Sequence, residues 1–458
     1  MHPVVRRYRG LLGATSAVAA ARMFSLLSAA VQLPLLTAYL QPSEYSVVAV
    51  AIAIAAYFSL LSAEPVILAF ERFPGATNDR ASYRYALSRT GAYLALAALL
   101  VVAGAHLLGY TSIAIGFVGW AIGISVNRLI SLAWLMWEQP WQYAWNLMAG
   151  TGTRTAVLVG LILAGWDPLI SLGIAGMASA AAALLLSPRA YRAAHADRKV
   201  GRPWAFGFGV NLALAQFAYT VLTNGSLLVL TAFVPSDRVG SYAVMMQVST
   251  LTSGAVLGLA LAVSYPPLRR AWDDGSRATV QTRLVVLQQL CLVVAAAFVF
   301  ASYIGDSFLL RIVLPDEFLD QAVLAPLIVA TAVAAMGGMA SWHHQLELRA
   351  ARVASRTIIA SLIGLGLTVA LAALFQESGA GLGAAGAFLI YLVIMQSGTR
   401  LPASAVGLAA ALTAVMSISI GVPTISADVV AYLALAAAIA ITVVIVVKHR
   451  SILAAADH

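Results

Sequence analysis

Three arginines and one glutamate stand inside apolar stretches of this 458-residue chain that are long enough to cross a membrane: Arg22, Arg128, Arg154 and Glu64. An ionisable side chain near the bilayer centre costs about 3 kcal/mol on insertion scales, so such groups turn toward a cavity or a partner. A guanidinium stays ionised, and its planar fork grips phosphate through paired hydrogen bonds. Three positive charges against one carboxylate leave an excess of two, which a dry helical core does not tolerate. The expected setting is a cavity holding water or an anion, with Arg22, Arg128 and Arg154 as the anion-binding set and Glu64 as counter-ion or coupling group. Bland readings stand beside this one. Arg128 and Arg154 snorkel to the cytoplasmic surface if their helices are short, and Glu64 pairs with Arg22 as a structural tie.

The elements that must position these groups follow from composition. The chain is 61% hydrophobic and only 10% charged, with a mean hydropathy of +0.90. A water-soluble globule is roughly 25% charged, so this is a membrane protein. A bilayer core needs roughly 20 apolar residues per helix. Apolar runs give fourteen expected spans: 11–39, 46–70, 86–108, 112–136, 143–164, 169–186, 204–233, 239–266, 283–310, 319–346, 356–375, 383–398, 403–420 and 427–447. Runs of this length satisfy their own backbone in lipid only as helices, so the fold class is an all-α polytopic membrane protein of about 14 transmembrane helices. The single cysteine, Cys291, forms no internal disulfide and is expected in a helix, in core or lipid. The basic start (Arg6, Arg7, Arg9) resembles a signal-peptide flank, but the apolar stretch behind it is too long for a cleaved segment and holds Arg22, so it reads as the first span.

A net charge of +9 and a pI near 9.8 do not indicate nucleic acid, because the basic residues are spread over short loops and form no single face. They report topology. With the N-terminus inside, 22 of the 27 Lys and Arg residues fall in cytoplasmic loops, and only Arg238 and Arg311 fall outside. This bias agrees with fourteen spans and both termini in the cytoplasm. Residues 187–203 form the longest connector and the natural linker between six-helix bundles 1–186 and 204–398; residues 399–458 add two helices and a tail. Pro42-Ser43-Glu44 and Pro235-Ser236-Asp237 recur 193 residues apart at equivalent outer turns, a weak repeat that chance also explains.

Residues 36–64 (LTAYLQPSEYSVVAVAIAIAAYFSLLSAE), 234–244 (VPSDRVGSYAV), Pro266-Pro267-Leu268, the turn Asp273-Asp274-Gly275, 314–318 (LPDEF) and the Gly-Ala run 379–386 together resemble the Wzx-type polysaccharide flippases. The resemblance covers roughly the first twelve spans. It implies a two-bundle fold shared with the multidrug and toxic-compound extruders, a central cavity, and transfer of lipid-linked sugars from the cytoplasmic to the outer leaflet of a bacterial cytoplasmic membrane. Lipid II flippases also carry two extra helices, although their terminal patterns differ from this chain's. On this reading the anion is the diphosphate of a polyprenyl-linked oligosaccharide, and the partners are that lipid, the surrounding membrane and other polysaccharide-assembly proteins. A cation-coupled multidrug exporter of the same fold is the alternative, disfavoured by the arginines. An embedded glycosyltransferase would need a catalytic group on a loop longer than any here.

Milder groups occupy the second bundle. Asn211, Asn224, Gln247 and Gln288, with Gln289, either contact sugar hydroxyls or fasten helices to one another at about 1 kcal/mol per contact. His343, His344 and Glu347 close the tenth span, where histidine couples to protons or simply sits at a solvated helix end. Trp120, Trp134, Trp137, Trp141 and Trp145 read mainly as interface anchors. Pro34 and Pro326 remove helix hydrogen bonds and suit a gate or a static bend. Three ligands at metal-site spacing are not seen, nor is a Gly-rich phosphate loop. No cofactor is expected, and an ion gradient of unspecified kind is the remaining drive.

Overall fold

A computed structural model describes residues 3–62, 111–136, 139–187, 203–303 and 308–397, apart from scattered positions at the ends of 303–308, together with Glu64, Pro65 and a few isolated residues. Every regular element among the described residues is helical, and ten helices are long and apolar enough to cross a membrane. The chain divides into two compact units, 1–220 and 221–458.

The first unit holds α1 (Pro3–Tyr39), α2 (Pro42–Ser62), α3 (Thr111–Met136), α4 (Pro140–Leu163), α5 (Pro168–Leu186) and most of α6 (Pro203–Leu230). Starts are locally encoded. Pro140 and Pro168 occupy first-turn positions where a missing N–H costs nothing, and Asp167 caps α5 by accepting from the N–H groups of Leu169 and Ile170, both at 2.9 Å. The core of this unit is the α3–α5 seam. Gly119 and Gly123 on α3 lie directly against the backbone of Gly173 and Gly176 on α5, so close that a Cβ at any of the four would overlap main-chain atoms. Small residues permit this approach in lipid, where packing and not water expulsion holds helices together. Ala17 and Ala21 of α1 bury themselves against Ala144 of α4.

The second unit holds α7 (Ser236–Ser249), α8 (Ala255–Asp273), α9 (Arg277–Tyr303), α10 (Phe308–Val313), α11 (Gln321–Leu346) and α12 (Ala350–Gln396). A π-turn, Thr250–Gly254, joins α7 to α8, so the expected eighth span is one continuous, locally widened rod. Its hydroxyls explain the widening: Thr250 and Ser249 donate to the Met246 carbonyl, Thr252 to Val248 and Ser253 to Ser249. The most buried helix of the unit is α11. The 47 residues of α12 are two antiparallel arms, broken at Gln376 (φ 55°, ψ −129°). Gly383 faces Thr368, Gly364 faces Ala387 and Gly379 meets the Leu371 carbonyl, so the expected eleventh and twelfth spans form a tight hairpin.

Both Pro-Ser-acid tripeptides start helices: Glu44 accepts from the Gln41 N–H at 3.0 Å at the head of α2, and Asp237 lies in the first turn of α7. Cys291 is a buried free thiol on α9. Apart from isolated residues, the spans 86–108, 403–420 and 427–447, most of the linker 187–203, and Trp137 lie outside the described residues. The division between units falls within α6 at residue 220.

Candidate functional site

The charged groups of the first unit meet through α3. Arg128 Nη1 donates to Glu64 Oε2 at 2.7 Å and Nη2 to Oε1 at 2.9 Å, a two-pronged ion pair. The Glu64 side chain is only 4% exposed, while that of Arg128 is 41% exposed, so one partner is sealed and the other presents an edge. The partner of Glu64 is thus Arg128; the expected alternative tie to Arg22 does not form. Arg22 lies exposed on α1 and makes no ion pair among the described residues.

Arg154, midway along α4, stacks over the Trp120 ring of α3 at 4.6 Å. Its Nε is buried and, like Trp120 Nε1, has no hydrogen-bond partner among the described residues. A cation on an aromatic face gains up to about 2 kcal/mol when desolvated, less than a carboxylate partner supplies. Arg154 lies 14 residues from the start of α4, roughly 21 Å at 1.5 Å per residue, too far for its side chain to reach that end.

Helix register sets the heights. A Cβ at Gly150 would overlap the Asn127 amide, and one at Gly152 would touch Phe24. These contacts place Arg22 and Arg128 at nearly one level along α4, with Arg154 roughly 7 Å further along. Below them lies a buried polar chain that the sequence reading overlooked. Ser131 donates to Asn146 Oδ1 (2.9 Å), Asn146 Nδ2 to Ser187 Oγ (2.8 Å) and the Ala183 carbonyl (3.1 Å), and Trp134 Nε1 to Ser187 Oγ (2.7 Å). The sequence signal is the amide and hydroxyl residues Asn127, Ser131 and Asn146 within helices of membrane-spanning length. Trp120 and Trp134, expected at an interface, are buried; Trp141 and Trp145 are exposed.

The amides expected to meet a polar ligand are dispersed. Asn211 donates to the Gly207 carbonyl of its own helix at 3.0 Å. Gln288 is fully buried, donates to the Met336 carbonyl and accepts from Gln396, both at 3.3 Å, and so fastens α9 to α11 and α12. Asn224 and Gln247 are half-buried. Pro34 lies within α1, where Thr37 Oγ1 donates to the Leu33 and Pro34 carbonyls. Pro326 is buried within α11, near Gly381. His344, expected at a solvated helix end, is 1% exposed because α12 covers it.

At the other end of the second unit Arg238 donates to Gln376 Oε1 at 2.6 Å and Glu377 Oε1 at 3.2 Å, tying the head of α7 to the break in α12. Asp320 caps α11 beside this pair. Burial holds its carboxyl above the usual carboxylate range, and the nearby Glu377 charge pushes the same way, against the Val323 N–H and Arg238.

No protein-family model and no curated protein sequence matches the chain. Solved structures do. The lipid II flippase MurJ in an inward closed conformation shares the fold at a TM-score of 0.64 with 11% identity, over 94% of this chain and 98% of that one. An inward-facing multidrug transporter of the MATE family follows at 0.60 and 13%, over 86% and 96%. A eukaryotic MATE transporter aligns at 0.56 and 14%, over 89% and 99%. At these identities the likeness establishes the fold: an all-α, multi-pass membrane architecture whose similar structures are flippases and transporters.

Proposed function

We propose that the chain is a flippase that carries a polyprenyl-diphosphate-linked oligosaccharide from the cytoplasmic to the outer leaflet by alternating access, for cell-surface polysaccharide assembly. The observation that supports this is the guanidinium surplus among the described membrane-spanning residues of the first unit. Arg154, half-buried with its Nε sealed, meets no carboxylate among the described residues, Arg128 is held by Glu64 yet 41% exposed, and Arg22 stands exposed at the same height. A diphosphate esterified at both ends carries one negative charge on each phosphate and satisfies such a set, because each fork offers parallel donors to two oxygens. Arg22 and Arg128 take the diphosphate first, Arg154 assists deeper in, and Glu64 holds Arg128 between cycles. The prenyl tail stays in the bilayer while the head group crosses.

The test is leaflet transfer of a fluorescent polyprenyl-diphosphate sugar in vesicles carrying the purified protein. Transfer by the wild type and its loss in Arg22→Ala combined with Arg128→Ala supports the assignment; full transfer by that double variant removes it.

The second reading is a cation-coupled multidrug exporter. It is favoured by the buried Glu64 carboxylate and by the likeness to MATE transporters. It requires Glu64 to release Arg128 and meet a cationic drug. Efflux of cationic dyes that is lost in Glu64→Gln, with no transfer of the lipid-linked sugar, selects it.

A further inference from the structure

Where α11 ends and α12 begins, three groups, from the end of α11 and both arms of α12, converge on one imidazole. Arg356, on the first arm of α12, places Nη1 2.6 Å from His344 Nε2. The Met395 carbonyl, on the second arm, lies 3.2 Å from the same nitrogen and 3.5 Å from the same guanidinium nitrogen. On the other side of the ring, Nδ1 is 3.9 Å from Glu347 Oε2 and is buried without a hydrogen bond among the described residues.

A guanidinium has donors and no acceptor, so a 2.6 Å approach to Nε2 requires that nitrogen to carry a lone pair. His344 is therefore neutral in this arrangement, with its hydrogen on Nδ1, facing Glu347. One proton on Nε2 reverses every contact. The new N–H meets the Arg356 donor head on and repels its charge, while the Met395 carbonyl becomes its natural acceptor. Glu347 gains a full counter-charge in place of a neutral ring.

We propose that His344 is a proton-binding site whose protonation expels Arg356 and exchanges the α11 to first-arm contact for one to the second arm. The proton comes from water and leaves to it. Burial of the ring opposes uptake first, and the charged surroundings tilt the balance from there. Glu347, shared with His343 at 3.7 Å and Arg349 at 3.3 Å, favours uptake. Arg356 opposes it, as does His343 when charged. His343 itself packs edge-on against Trp272, over which Arg277 stacks at 4.3 Å. Two titratable rings thus adjoin, but only His344 bridges both arms of α12, which gives the two histidines separable roles. The proposal goes beyond the transport reading and stands independently of which substrate is moved.

Histidine 15N spectra of the full chain in lipid nanodiscs, with the His344 signal identified by its absence in His344→Gln, test the site directly. At pH 8 the ring is expected neutral with Nδ1 protonated, and by pH 5.5 doubly protonated. A ring carrying its hydrogen on Nε2 at pH 8, or remaining neutral at pH 5.5, overturns the proposal. Amide exchange, corrected for its intrinsic pH dependence, reads the consequence. Residues 350–360 are expected to exchange about tenfold faster at pH 5.5 than at pH 8 in the wild type and in His343→Gln, and at one rate in His344→Gln. The same pH response in His344→Gln overturns it. Should that variant fail to fold, Arg356→Gln serves instead, since without the guanidinium protonation expels nothing and the response disappears; a response that persists there overturns the proposal equally.

Discussion

Arg128 and Glu64 are 64 residues apart in sequence and joined by two hydrogen bonds of 2.7 and 2.9 Å. Breaking a buried pair by removing one member costs about 3–5 kcal/mol, but the exposed edge of Arg128 admits screening, and a figure of about 1–3 kcal/mol is expected for Glu64→Gln or Arg128→Gln. The double variant should lose less than the sum, measured by denaturation in detergent. Arg128→Lys keeps the charge and loses the fork, so it should retain most stability while lowering lipid transfer about tenfold.

Arg154 predicts the opposite division. Replacing a half-buried cation that meets no carboxylate among the described residues by an apolar chain of similar length relieves desolvation, so Arg154→Met should leave stability equal or higher by about 1 kcal/mol. Transfer of the diphosphate lipid should nevertheless fall about tenfold or more. A variant that is both destabilised and fully active would show that the stacking on Trp120 is structural.

The α3–α5 seam is sensitive to single carbons. Gly123→Ala drives a methyl into the Gly176 backbone and should cost about 3 kcal/mol or more, by overpacking. Beyond its own helix, Gly160 on α4 has no atom within 4 Å of its Cβ position among the described residues. Gly160→Ala should be neutral or stabilising by roughly 0.5–1 kcal/mol through helix propensity. Parallel thermal melts of the two variants compare the sites.

Asp320 sets a pH dependence outside the membrane-spanning helices. Its carboxyl is raised above the ordinary 3.8, first by burial and then by Glu377. The folded chain therefore holds this proton at pH values where the unfolded chain has released it, and stability falls as pH rises through the window just above 3.8. Asp320→Asn keeps a competent cap and removes the charge. Its melting midpoint should decline less than that of the wild type between pH 4 and pH 7; an equal decline in both would assign the dependence to other groups.

Span positions were legible because lipid demands length and apolarity, and both are written in the sequence. The expected span 169–186 differs from α5 by one residue at its start. Rotation about each helix axis was not legible. In a chain this apolar both faces of a helix read alike, so nothing distinguished Arg22 from Arg128 as the partner of Glu64, or showed that Trp120 and Trp134 point inward while Trp141 and Trp145 point out. The seclusion of His344 was hidden for a different reason. It depends on a hairpin folding back 51 residues later in the chain, a tertiary contact without a local signal.

The reversal at Gln376 spends a single residue of non-helical backbone, so the two arms of α12 meet there without slack, and Arg238 grips the bend from outside. Such a joint works like the spring end of a tweezer. Arg356 and Met395 lie about 20 residues away, roughly 30 Å down the blades. A change of angle of about 5° at the bend separates the tips by roughly 2–3 Å at that lever length. That is enough to undo a hydrogen bond at one end while the other end barely stirs.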